Sequence, residues 1–484
     1  MLTTSQLGIC ERLFQESHCR LQGSWCVGIV VAAYLLGFLA LWPEQDWLLT
    51  YFTPAAYLAI SYAFVRTLQV WRDPFNPLCL VLAVAFVRFV LPGILFLSGT
   101  EVPDEVDSFF RTLQLSDNDW RRGNALALVG LLGVALGWLV VQVRWTRGQP
   151  IKFLLAEGVK YTAFLGMAVG LVALAAFVLS NASLDVIVSG AFRGTTIQVG
   201  TGKFFFLAYF LIAGSVLLSC YFVTKDRGWY SLTPVLAAAV FYWVLGGRNR
   251  AMTPVACGLL LLWYFRREQD SWRKLSIKPR YFALVPCGVM LVAWLSYVGL
   301  LYRGEHGIGA FAEAMSLSGF WEHVQISVFG DLGQLHGLAG AIAIGPGVLN
   351  GSTFLGALSW PLGAIFPIPG RSAGVFIVET LAGFMNGQRW GVNASLIGDA
   401  YLNFGVGGVM IVMLIFGALL KTLYVRFRQG SLHGAIYVIA ALSFVQISWV
   451  SIEAWPQALV TLSFTSFLIL LGKTFLRVRQ TNIS

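Results

Sequence analysis

Apolar runs separated by short polar stretches recur along almost the whole chain. Each run is about 20 residues, the length a helix needs to cross roughly 30 Å of hydrocarbon. The pattern predicts about twelve membrane-spanning helices, running approximately Trp25–Leu41, Leu48–Val65, Pro77–Leu97, Asn124–Val143, Lys160–Leu179, Phe204–Val223, Ser231–Leu245, Met252–Phe265, Tyr281–Leu301, Leu396–Leu423, Gly434–Ile452 and Gln457–Leu471. Between the ninth and tenth runs the pattern changes. Residues 302–394 hold "RGEHGIGAFAEAMSLSGFWEHVQISVFGDLGQLHGL", with apolar positions at helical spacing, and then the Gly/Pro-rich "GPGVLNGSTFLGALSWPLGAIFPIPGRSAG". Both are apolar enough to lie on a membrane, which predicts short interfacial helices roofing a cavity.

The predicted fold is therefore an all-α polytopic membrane protein in three parts. These are nine spans in 1–301, one long outer loop in 302–394, and three spans with a tail in 395–484. No internal repeat marks an inverted-repeat transporter. Glycines at helical spacing, such as Gly130, Gly133 and Gly137, or Gly405 and Gly408, are expected where helices approach closely.

Composition agrees with this reading. Of 484 residues, 57% are hydrophobic and only 12% charged, with a mean hydropathy of +0.73, outside the range of soluble domains. Basic residues set the orientation. With both termini inside, "RTLQVWRD", "RWTRGQPIK", "KDRG", "RREQDSWRKLSIKPR", "RFRQ" and "KTFLRVRQ" all fall on the cytoplasmic side. The net charge of +10 thus reflects topology, and nucleic acid is not implied as a partner. The seven cysteines are predicted within the membrane or on its inner side, so no structural disulfide is expected.

Against the positive-inside trend, six arginines fall on the outer face: Arg193, Arg248, Arg250, Arg303, Arg371 and Arg389. Guanidinium forks suit phosphate or carboxylate oxygens, which they grip in pairs. The alternative is that they snorkel to lipid phosphates or pair with loop carboxylates. The long outer segment also holds His306, His323 and His336 beside Glu305, Glu322 and Asp331, without the spacing of a zinc site. The triplet Asp117, Asn118, Asp119 resembles a metal-binding DxD, but its acidic neighbours read as a solvated loop.

In "NASLIGDAYLNFGVGGVMI" the residues Ser395, Asp399 and Asn403 are four apart and so share one helix face at the outer surface. A carboxylate at that depth needs a wet cavity or a cation. Facing several guanidiniums, it could deprotonate a hydroxyl while a phosphorylated leaving group is held nearby. The alternative is a salt bridge that only fixes the helix against its neighbour.

At these residues the chain resembles the bacterial oligosaccharide repeat-unit (O-antigen, Wzy-type) polymerases. The resemblance rests on "GGRNRAM", on the outer segment closing in "FPIPGR", and above all on "SLIGDAYLNFGVGGVMI". Two departures stand out: Asp399 where the longer Glu is expected, and the absence of a basic residue soon after Arg371. The resemblance implies a membrane-embedded (GT-C-like), inverting, metal-independent glycosyltransferase without a cofactor, at the outer face of the bacterial inner membrane. Its donor would be a growing glycan on undecaprenyl pyrophosphate and its acceptor a single repeat unit on the same lipid. A flippase and a chain-length regulator would be its pathway partners. The six arginines and Asn403 would hold substrate. Asp399 is the first choice of base, with Glu305, His306, Asp331 and His336 in reserve. An O-antigen ligase and a lipid-linked oligosaccharide flippase are the alternatives.

Overall fold

The computed structural model describes residues 57, 73, 75–91, 113–141, 157–181, 202–225, 228–244, 248–269, 320, 335–359, 372–382 and 392–481. All regular structure among the described residues is helical. In chain order the helices are α1 (Pro77–Ala85, continued by a π turn, Phe86–Val90), α2 (Asp117–Val140), α3 (Glu157–Asn181), α4 (Gly202–Leu207), α5 (Tyr209–Thr224), α6 (Thr233–Val244) and α7 (Arg248–Gln269). They continue with α8 (Leu335–Ile344), α9 (Ser352–Leu358), α10 (Ala373–Leu381), α11 (Ser395–Arg428), α12 (Gly434–Val450) and α13 (Trp455–Thr481).

Among the described residues, five stretches are long and apolar enough to cross a membrane: Asn118–Val140, Glu157–Ser180, Phe204–Thr224, Ser395–Arg428 and Trp455–Thr474. Helices thus stand at the predicted spans from Pro77 to Phe265 and from Leu396 to Leu471. The predicted spans Trp25–Leu41, Leu48–Val65 (apart from Tyr57) and Tyr281–Leu301 lie outside the described residues. Three short helices, α8, α9 and α10, occupy described parts of the long segment.

The chain divides into two compact units, each drawn from three separate stretches. The first comprises Met1–Arg144, Val328–Thr422 and Val445–Glu453; the second comprises Trp145–Ser327, Leu423–Phe444 and Ala454–Ser484.

In the first unit, α2 and α11 run parallel. A Cβ on Gly133 would meet Met410 and Met413, one on Gly137 would stand 1.9 Å from the Leu414 carbonyl oxygen, and one on Gly417 would stand 2.1 Å from that of Val134. Only glycine lets two backbones come so close, the use expected of small residues at four-residue spacing. Because contacts rise together along both helices, the N-terminal ends of α2 and of the later part of α11 share one side. Helix α8 lies against the start of α2 and of α11, with Gly123 at Leu338 and Ala339, and Gly337 at Asn393.

Two expectations are corrected here. The triplet Asp117–Asp119 is the first turn of α2, not a solvated loop. Ser116 caps it: the Asp119 N–H reaches the Ser116 hydroxyl oxygen at 3.2 Å, and the Asp119 carboxylate accepts from the Ser116 N–H at 3.0 Å and hydroxyl at 2.7 Å. This capping box satisfies donors that a helix start leaves orphaned. Second, α11 is not one continuous span. Its 34 residues, if straight, would run about 50 Å, but the chain breaks at Gly405, where φ is 69° and ψ is −167°. That conformation is essentially confined to glycine. Residues 395–404 form a half-helix, and residues 406–428 are long enough to cross the bilayer alone. Gly405 and Gly408 serve this break rather than a helix crossing: a Cβ on Gly408 would stand 2.0 Å from the Phe404 Cβ.

In the second unit, α3 packs antiparallel to α5 and to α13. Gly170 faces Leu211, Gly214 faces Ala163 and Met167, and Gly472 faces Val159. The Thr162 hydroxyl donates to the Leu468 carbonyl at 2.9 Å. The rings of Phe210 and Phe464 stack at 3.7 Å. Helices α6 and α7 form a hairpin in which Gly258 meets Leu232 and Val235. Among the described residues Cys79, Cys220 and Cys257 are outside any disulfide.

Candidate functional site

The half-helix of the first unit buries all three residues of the polar stripe: Ser395 and Asp399 are 0% exposed and Asn403 is 3% exposed. Ser395 starts it in the left-handed region, at φ 62°, with its hydroxyl oxygen accepting the Gly398 N–H at 3.3 Å. At the other end, a helix leaves its last carbonyls without intrahelical partners. The loop after α8 supplies donors there. The Gly347 N–H reaches the Tyr401 carbonyl at 3.1 Å, and the Leu349 N–H reaches the Leu402 carbonyl at 2.9 Å. To follow the helix end so closely the loop takes positive φ at Gly345, Gly347, Asn350 and Gly351. Its Gly/Pro-rich composition therefore has a structural cause.

Asp399 does not stand free at a mouth. Its Oδ2 accepts the backbone N–H of Ile452 at 2.9 Å. Ile452 opens the 3-10 turn Ile452–Ala454 that leads into α13, so the carboxylate serves an N–H at a helix start, where negative charge is favoured. Asn403 donates through Nδ2 to the Thr353 hydroxyl oxygen and to the Asp399 backbone carbonyl, both at 2.7 Å. Its Oδ1 is buried without a hydrogen-bond partner among the described residues. His336, in α8, is likewise buried.

Of the six arginines expected on the outer face, Arg250, in the second unit, is the one whose side chain is among the described residues. Arg250, half-buried in the first turn of α7, lays its guanidinium 4.2 Å from the centre of the Phe205 ring. Its Nε donates to the Tyr209 hydroxyl at 3.3 Å. The platform is itself supported: Phe205 packs edge-on to Tyr209 at 5.8 Å and against Phe177 at 5.2 Å, and the Tyr242 hydroxyl donates to the Ala208 carbonyl at 2.7 Å. Stacking and the Nε bond fix the plane of the guanidinium. They leave its terminal amino edge unengaged among the described residues. No carboxylate among the described residues pairs with Arg250. An arginine so held presents a planar pair of donors suited to an oxyanion.

The other predicted site residues are placed unevenly. The backbone of Arg248 begins α7, two residues before Arg250, and its side chain lies outside the described residues. So do Arg193, Arg303, Arg371, Arg389, Glu305, His306 and Asp331. Two residues absent from the sequence-derived set emerge from the packing of the first unit. Arg122, on the second turn of α2, lies within electrostatic reach of the Tyr401 hydroxyl. Arg88, in the π turn after α1, is 9% exposed and faces the Trp449 ring at 5.3 Å. A charged residue inside an apolar run was the only signal available for Arg88.

A different kind of ionic contact joins α3 and α5. Lys225 and Glu157 meet at 2.8 Å on an exposed surface, and this carboxylate holds the Lys225 ammonium above the ordinary lysine range. Exposed pairs of this kind add little to stability. No protein-family model, curated protein or solved structure matches the chain.

Proposed function

We propose that this protein is a membrane-embedded glycosyltransferase that polymerises undecaprenyl-pyrophosphate-linked oligosaccharide repeat units into O-antigen, capsule or exopolysaccharide. It does so at the outer face of a bacterial inner membrane, with about twelve spans and both termini inside. The observation that carries the reading is the Arg250 fork, a guanidinium braced on Phe205 and Tyr209 at a helix end of an apolar chain. The motif resemblance in "GGRNRAM" and "SLIGDAYLNFGVGGVMI" joins that fork to this chemistry.

Breaking the sugar–pyrophosphate bond puts negative charge on the departing lipid pyrophosphate, and fixed guanidiniums stabilise that charge without reorganising. Arg250 is the braced member of the set; Arg193, Arg248, Arg303, Arg371 and Arg389 complete it. An acceptor hydroxyl, stripped of its proton by a carboxylate or imidazole, attacks the anomeric carbon from the face opposite the leaving group and inverts it. Glu305, His306, Asp331 and His336 are the candidate bases; Asp399, which accepts the Ile452 N–H, supports the half-helix, and the Asn403 amide oxygen is a candidate acceptor for a sugar hydroxyl. The reaction is proposed to need neither metal nor cofactor. The flippase that delivers repeat units and a chain-length regulator are the proposed partners.

The test is reconstitution of the purified chain in liposomes with lipid-linked repeat units. Glycans in whole multiples of the unit, with release of undecaprenyl pyrophosphate, are expected. Translocation without elongation would make the protein a flippase, and transfer only to a lipid A core would make it a ligase.

A further inference from the structure

Two buried charges of opposite sign converge on one turn of the first unit. Trp449 is the next-to-last residue of α12, and Ile452 opens the 3-10 turn that follows. Arg88 lies over the Trp449 ring at 5.3 Å, while Asp399 accepts the Ile452 N–H at 2.9 Å. Three residues separate the two anchor points, so they sit on the same turn of chain. Arg88 reaches it from a π turn, Phe86–Val90, whose closing bond runs from the Leu91 N–H to the Phe86 carbonyl. Such a turn holds one residue more than an α turn and re-aims the side chains it carries, and π turns are frequent at functional sites. Asp399 reaches it from the half-helix that also holds Asn403, one turn away.

From this geometry we infer that Arg88 and Asp399 are positioning residues which clamp the Trp449–Ile452 turn, and through it hold the half-helix and Asn403 in register. What the turn takes from Asp399 is a hydrogen-bond acceptor. The carboxylate is 0% exposed and its Oδ2 is engaged by backbone, whereas a general base needs the proton it removes within reach. An asparagine has a similar shape and offers an amide oxygen to the same N–H, so it preserves the clamp. A leucine fills similar space without an acceptor and leaves the Ile452 N–H buried and unpaired. For Arg88, lysine keeps a cation over the indole and methionine keeps only the apolar stem.

The functional consequence rests on the polymerase reading, but the clamp itself is tested independently of it. Hydrogen–deuterium exchange of the peptide covering residues 449–455 is measured in purified wild type and in Asp399→Asn, Asp399→Leu, Arg88→Lys and Arg88→Met, alongside glycan length in cells at matched protein abundance. Loss of one buried hydrogen bond predicts exchange of the Ile452 amide about tenfold faster in Asp399→Leu. Faster exchange is also expected in Arg88→Met, with Asp399→Asn and Arg88→Lys near wild type. Polymer should persist in the two conservative variants and disappear in the other two. Protection unchanged in Asp399→Leu and Arg88→Met would overturn the clamp. Polymer lost in Asp399→Asn with protection intact would equally overturn it, because the charge would then be what matters. A wild-type chain that elongates no glycan but shows the predicted exchange pattern supports the clamp and counts against the polymerase.

Discussion

The Cβ that Gly137 lacks would stand 1.9 Å from the carbonyl oxygen of Leu414. The atom in the way is backbone, so no side-chain rotation relieves it, and α2 and α11 must separate to admit even a methyl group. Gly137→Ala is therefore expected to destabilise the protein by about 1–3 kcal/mol, the range seen when packed cores are overfilled. Gly407→Ala is the matched control. It lies on α11, the helix that Gly137 faces, with nothing within 4 Å of its would-be Cβ, and alanine there should leave stability unchanged or raise it by about 0.5–1 kcal/mol. Apparent melting temperature in detergent separates the two.

Gly405→Ala tests the break in α11. The backbone there, φ 69° and ψ −167°, costs a non-glycine residue about 1–3 kcal/mol. The variant should insert normally, melt earlier and make less polymer. A melting temperature equal to wild type would mean that the chain does not need the break.

For Arg250 the discriminating substitution is lysine. An arginine that merely snorkels to lipid phosphate is replaced by lysine without loss. An arginine braced by its face on Phe205 and its Nε on Tyr209 is not, because lysine has neither a plane nor an Nε. Arg250→Lys is expected to cut polymerisation about tenfold or more, in line with about 1.4 kcal/mol per tenfold, and Arg250→Ala to abolish it. Phe205→Leu, which removes the platform but no charge, should fall between them.

Lys225→Ala should leave abundance, melting temperature and product unchanged near neutral pH. The Glu157 carboxylate raises the Lys225 ammonium above the ordinary lysine range. Whatever this pair adds is thus present while the Glu157 carboxyl is ionised and fades at the alkaline end as pH climbs through the raised lysine value. Melting curves of wild type and variant should coincide at neutral and mildly acidic pH.

Features set by local spacing could be read from sequence, and those set by distant partners could not. The apolar runs from Pro77 to Phe265 and from Leu396 to Leu471 and the Gly130–Gly133–Gly137 stripe follow from the chemistry of single helices, and helices stand at those runs. Ser395, Asp399 and Asn403 could be placed on one face for the same reason. What that face meets could not be foreseen, because Thr353 and Ile452 lie 50 and 53 residues away. The Arg250 platform on Phe205 is equally remote in sequence. Gly405 stands inside an unbroken helical pattern, and glycine is compatible with helix, kink and break alike. The capping box Ser116–Asp119 is legible as a serine three residues before an acid at a helix start, but the same residues also fit a DxD triplet, and spacing alone does not separate the two.

The most direct test of the central claim is glycan length on a strain deleted for this protein, with and without the wild-type chain restored and its level checked by immunoblot. The account predicts single repeat units on the deletion strain and full-length polymer on restoration. Polymer of normal length in the deletion strain, or repeat units stranded on the inner leaflet, would contradict it.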